Sequence, residues 1–162
     1  RYPEVMPDGM NYVDELLYHQ TYDTVQSNIY PFTGDPSSRL LQIHSGHAFH
    51  DLVQSTYAEL TQKNEYAWIR TTGIFRLNHQ LNPGEMYLVN EFYHKKKRYK
   101  FQAADLTEFA VDTTNDWIGF QVDYLTPEPR RTSDTYKLYF WYRGSDTVYI
   151  DNVSVKKFIP TK

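Results

Sequence analysis

The chain contains no cysteine, which excludes disulfide scaffolds, thiolate catalysis and cysteine-ligated zinc while leaving reducing and oxidising compartments equally open. It has no excess of either charge: 17 basic and 20 acidic residues leave a formal net charge of −3. A balance of that kind builds no long-range field to gather nucleic acid, which is not expected as a partner. No apolar run approaches the roughly 18 residues needed to cross a bilayer as a helix, so no transmembrane segment is expected. The opening RYPEVMPDGMNY has no apolar stretch of the signal-peptide kind, and position 1 is not methionine, so residues 1–162 are read as a single domain cut from a longer protein. No nucleophile elbow, phosphate-cradling glycine loop or His-Glu-x-x-His is present, and catalysis is not expected. Helical periodicity is missing too, because no segment keeps apolar residues at helical spacing for three turns.

What is abundant is aromatic: 15 Tyr, 9 Phe and 3 Trp make up 17% of the residues. Such side chains suit a pleated, half-buried surface and also stack on sugar rings. They lie in short alternating runs between Gly, Pro, Asn and Asp clusters, the pattern of sandwiches and barrels. In Tyr136 to Tyr142, Tyr136, Leu138, Phe140 and Tyr142 point one way, toward a core, and Lys137, Tyr139, Trp141 and Arg143 the other. Trp117 to Tyr124 sets Ile118, Phe120, Val122 and Tyr124 against Gly119, Gln121 and Asp123. In Glu85 to His94, Met86, Leu88 and Phe92 oppose Glu85, Tyr87, Glu91 and Tyr93. His94 to Arg98 reads as a charged hairpin tip in preference to a nucleic-acid patch, and leads into a strand over Tyr99 to Ala103. Trp68 to Phe75 is a further strand, with Tyr66, Trp68 and Arg70 facing away from Ala67 and Ile69. Arg39 to His44 and Phe49 to Leu60 flank a Ser45-Gly46 turn. Asp51 to Gln62 competes weakly as a helix, and Pro31 to Ser38 and Pro127 to Ser133 read as loops.

The last strand breaks its own alternation. Val148 and Ile150 share a face, but Val153 and Val155 fall out of that register, so one residue must be absorbed near Asp151-Asn152. A β-bulge does this, and bulges re-aim side chains beside functional sites. These patterns together predict an all-β, antiparallel two-sheet sandwich of about eight or nine strands.

Several segments resemble, in order and in motif, the jelly-roll carbohydrate-binding modules of the galactose-binding-domain-like type and related accessory modules of bacterial envelope proteins. Ser45-Gly46 before an Ala-Phe pair resembles the family's early turn, and Asn115-Asp116-Trp117 its Trp-led penultimate strand. Asp134 to Trp141, then Gly144, then Val148-Tyr149-Ile150-Asp151-Asn152-Val153 resembles its ending, with Asn152 where the family often has a second Asp. Asn11-Tyr12-Val13-Asp14-Glu15 departs from the family's opening, which carries a Phe. The resemblance implies a jelly roll, a non-catalytic accessory role, an extracytoplasmic location in the periplasm, at the cell surface or secreted, and a structural calcium ion. Carried over by position, its side-chain ligands are Glu15 and Asp151, helped by carbonyls near Ser45-Gly46 toward roughly six to eight oxygens. The alternative is that Asp151 caps the bulge and Glu15 is simply exposed.

Three further groupings arise from the residues themselves. His44, His47 and His50 could share a metal only if the Ser45-Gly46 turn folds the chain back. Glu91 and Asp123 are the conceivable carboxylate pair for glycoside hydrolysis. Asn152-Val153-Ser154 matches a glycosylation sequon, but it falls inside the closing strand. The grouping of most interest is polar and aromatic: Trp68 and Arg70, Tyr87, Glu91 and Tyr93, and Tyr139, Trp141 and Arg143 all oppose the apolar sets of their strands. If those strands share a sheet, they form an aromatic floor with charged edges for a glycan. The same floor would equally serve a structural or protein-interaction domain packing on another domain of its parent protein.

Overall fold

The computed structural model describes residues 5–8, 11–20, 29–32, 35–62, 66–77, 82–114 and 117–161. Their strands are β1 (Tyr12–Gln20), β2 (Ile29–Phe32), β3 (Asp35–Ile43), β4 (Phe49–Thr56), β5 (Trp68–Leu77), β6 (Met86–His94), β7 (Lys97–Asp105), β8 (Ala110–Thr114), β9 (Trp117–Leu125), β10 (Thr135–Tyr142) and β11 (Val148–Pro160). One five-residue helix, α1 (Tyr57–Thr61), and a 3₁₀ turn (Leu106–Glu108) are the helical elements among the described residues. Thr56 caps α1, its side chain accepting from Glu59 N–H, and Gln62 ends it in the left-handed region at φ 51°.

The strands form two antiparallel sheets. A seven-stranded sheet runs β2-β3-β11-β5-β9-β8 with β1 also on β11, and a four-stranded sheet runs β4-β10-β6-β7. The all-β sandwich is as expected, with eleven strands in place of eight or nine. The additional ones, β1, β2 and β8, lie at the edges of the larger sheet. β2 and the start of β3 occupy the described part of the Pro31–Ser38 segment that reads as loop. Pro31 is tolerated there because β2 is an edge strand, where a missing N–H leaves no ladder partner empty.

Between the sheets the inward sets interlock as their alternation predicts. Tyr136, Leu138, Phe140 and Tyr142 from β10 meet Phe75 from β5 and Phe120 and Val122 from β9, all essentially inaccessible to water. Phe92 sits 5.1 Å from Tyr136, ring to ring, and Phe120 meets Phe140 edge-on at 5.9 Å. Tyr136 satisfies its buried hydroxyl by donating to Asn90 Oδ1. Gly73 lies directly across from Phe120, and a Cβ there would come within 2.8 Å of the Phe120 ring.

The bulge falls at Asp151-Asn152, where the β5–β11 register shifts and Asn152 takes φ 53°. On its other side β11 exchanges neighbours at this point: it pairs with β3 over Val148–Ile150 and with β1 over Val153–Pro160. The bulge re-phases the strand so that Val153, Val155 and Ile159 stay buried beside the new partner.

Candidate functional site

The outer face of the four-stranded sheet carries side chains of the parity set opposite the core. Register places Phe49 (β4), Trp141 (β10), Tyr87 (β6) and Asp105 (β7) in one row across all four strands. Trp141 lies 6.0 Å from Phe49 with the rings within 9° of parallel, and 5.4 Å from Tyr87. The Arg143 guanidinium stands 5.3 Å from the Trp141 ring, a cation–π edge to the row. Next along is Tyr139, 6.0 Å from Phe49. Tyr87, Tyr139 and Trp141 are partly exposed, and Phe49 and Phe101 retain 54% and 45% exposure, a large aromatic surface left to solvent by the described residues.

Glu91 anchors this face from below. Although outward by parity, it is 3% exposed, because its carboxylate accepts from Tyr139 Oη (2.5 Å), Tyr93 Oη (2.6 Å) and Arg98 (3.2 Å). Burial, then the bond to Glu91, raise the Tyr139 phenol; the Tyr93 phenol is raised chiefly by its bond to Glu91. Both hydroxyls stay protonated and keep donating, which fixes the rings. The Arg98 guanidinium then lies 4.4 Å from the Phe101 ring, extending the aromatic and charged surface to β7.

Six of the eight expected residues, Tyr87, Glu91, Tyr93, Tyr139, Trp141 and Arg143, therefore lie on this one outer face. Trp68 and Arg70 do not, because β5 belongs to the other sheet. Trp68 is 7% exposed, and Arg70 makes a two-pronged ion pair with Asp123 (2.7 and 2.9 Å) while stacking 5.6 Å from Phe158. Met6 N–H also donates to Asp123, so the segment 5–8 reaches this outer face. Phe49 and Phe101 join the face without having been singled out. Their outward parity could have been read from β4 and β7 once those strands were phased.

Glu91 and Asp123 sit on opposite outer faces of sheets that stack about 10 Å apart, beyond the separations of up to about 9.5 Å used in glycoside hydrolysis. Glu15 and Asp151 do not share a site either. Glu15 pairs across from Lys157, six residues along β11 from Asp151, or roughly 20 Å. Glu15 accepts from Gln62 and lies 3.4 Å from the Lys157 ammonium, whereas Asp151 accepts from Asn152 N–H and so caps the bulge. The Ser45-Gly46 turn does fold back, pairing His44 with His47 and bringing their rings within 6.5 Å. Even so, no three His, Asp or Glu side chains converge as a metal-binding group among the described residues. Asn115-Asp116 lies outside those residues. None of the described helices is long and apolar enough to cross a membrane.

No protein-family model matches the chain, and no curated protein does. Solved structures do. The CBM22-1 xylan-binding domain from Paenibacillus barcinonensis Xyn10C is 12% identical, with a TM-score of 0.52 over 94% of this chain and 99% of that one. The C-terminal family 22 carbohydrate-binding module of Clostridium thermocellum Xyn10B is 14% identical, with a TM-score of 0.51 over 92% and 96%. At this identity the likeness is one of architecture: the chain has the jelly-roll fold that these carbohydrate-binding modules share.

Proposed function

We propose that this domain is a non-catalytic carbohydrate-binding module, working outside the cytoplasm, that binds glycan on the outer face of its four-stranded sheet. The observation that carries the reading is the row Phe49–Trp141–Tyr87, held beside Tyr139 and Arg143. Sugar C–H groups stack on such rings, while guanidinium and phenol groups bond to hydroxyls. The scaffold supports it, since modules of this architecture include one described as xylan-binding.

Trp141 is the central platform. A glycan-array screen supplies the ligand, and calorimetry on Trp141→Ala then tests the site. Losing an anchor of this kind costs about 2 kcal/mol or more, so affinity should fall by at least about thirtyfold with the fold intact. Unchanged affinity in the variant would place the site elsewhere. A folded wild type that binds no glycan would favour docking of this face on another domain of the parent protein.

A further inference from the structure

At one end of the aromatic face lies an open groove of about 490 Å³. Three lysines line it, Lys95, Lys96 and Lys137, together with Gln54 and the hydroxyl-bearing Ser133, Thr135 and Tyr93. No carboxylate lines it, in a chain whose net charge is −3.

Lys95 and Lys96 form the two-residue tip between β6 and β7, and both take positive φ, 49° and 69°. Asn-Gly adopts a turn of this kind at least cost, and lysine does not. Strain retained in a non-glycine pair points to what the side chains do. Neither lysine has an ion-pair partner among the described residues. The two carboxylates closest in register and sequence are engaged elsewhere. Glu91, across from Lys137, is taken by Tyr139, Tyr93 and Arg98. Asp134, between Ser133 and Thr135, is taken by His94, Tyr99 and two backbone N–H groups. Lys137 instead places its ammonium 5.5 Å from the Tyr93 ring. The groove thus continues the aromatic face, with Lys137 about 13 Å along β10 from Trp141 on the same side.

We propose that this groove is an anion subsite and that the domain's glycan is acidic, its carboxylate or sulfate held among Lys95, Lys96 and Lys137 while adjoining sugar rings lie along the aromatic row. The proposal rests on the glycan-binding reading above.

The test is a panel of neutral, uronate-bearing and sulfated oligosaccharides, followed by calorimetry on the best uronate or sulfated binder and on its carboxyl-reduced or desulfated counterpart. The charged form should bind at least about tenfold more tightly at low salt, with the preference shrinking as salt rises. Which arm binds, uronate or sulfate, identifies the anion. The paired substitution Lys95→Asn and Lys96→Gly removes two charges and installs the residues that suit the turn. It should melt no lower than wild type, lose the preference for the charged form and keep the affinity for the uncharged one. Equal binding of both forms by wild type would overturn the anion subsite and leave the glycan reading standing. So would a preference that survives in the substituted protein, or competition by polyglutamate or an oligonucleotide as effective as by the glycan. Binding of no oligosaccharide in the panel would overturn both.

Discussion

Asp134 offers the sharpest test of how the groove end of the sheet is held. Its carboxylate is 2% exposed and accepts four hydrogen bonds: from His94 at 2.7 Å on one oxygen, and from Tyr99 Oη (2.9 Å), Arg130 N–H (2.9 Å) and Arg131 N–H (3.1 Å) on the other. Its backbone carbonyl accepts from Tyr57 N–H, tying the segment before β10 to α1. Asp134→Ala removes the shared acceptor of all four donors, of which His94 and Tyr99 Oη are half-buried. Each orphaned donor costs about 1–3 kcal/mol, but the costs are not additive, so a total of about 3–5 kcal/mol is expected. At about 2–4 °C per kcal/mol for a domain of this size, the melting temperature should drop by roughly 10 °C. Asp134→Asn keeps an acceptor and should lose roughly half as much. The pH dependence supplies a second check. Burial alone would raise the Asp134 carboxyl, but the bonds from His94, Arg131, Tyr99 and Arg130 outweigh it and hold the group below its ordinary value. A depressed carboxyl contributes stability above its unfolded pKa, about 3.9, and loses it as pH falls. The gap between wild type and Asp134→Ala should therefore narrow as pH falls into strong acid, without closing, because a protonated carboxyl still offers its carbonyl oxygen as an acceptor. A urea-unfolding difference under about 0.5 kcal/mol at neutral pH would refute the reasoning.

Other substitutions probe separate features. His50 is held down to about 4 by burial and by the charge of His47, against the opposing effect of Asp51. The unfolded chain therefore takes up this proton first, and stability should fall between pH 6.5 and 4; His50→Gln should flatten that slope in urea titrations. Gly73→Ala drives a methyl into the Phe120 ring and should cost about 1–3 kcal/mol by thermal unfolding, an unchanged melt counting against the close approach. Asp151→Ala removes the cap on the bulge and should cost about 1 kcal/mol, equally with and without a chelator; a loss seen only without chelator would instead indicate a bound ion.

Strand parity carried most of what could be read in advance. It placed Leu138 and Phe140 in the core and Trp141 outside, and the broken alternation after Ile150 located the bulge to the residue pair. Parity is a local property, however, and sheet membership is not. Trp68 and Arg70 point outward as expected, but from the other sheet, because nothing in β5 itself says that its neighbours are β9 and β11. The same limit separated Glu15 from Asp151: only the β1–β11 register reveals the offset of six positions between them. No alternating run marks β1 or β8, and β1 entered only through the resemblance at Glu15: both are edge strands, and Val13, Leu16 and Val111 are all more than half exposed.

The position of β11 has a consequence for assembly. The last strand in the sequence lies inside the seven-stranded sheet, and it takes β3 and then β1 on one side and β5 on the other. Until it docks, β1 has no partner in the sheet, β3 lacks one of its two, and β5 holds only β9. Contacts this distant in sequence close slowly, placing the domain among the millisecond-to-second folders. Removing residues 148–160 should leave a collapsed chain with open, sticky edges and no smaller native core to fall back on.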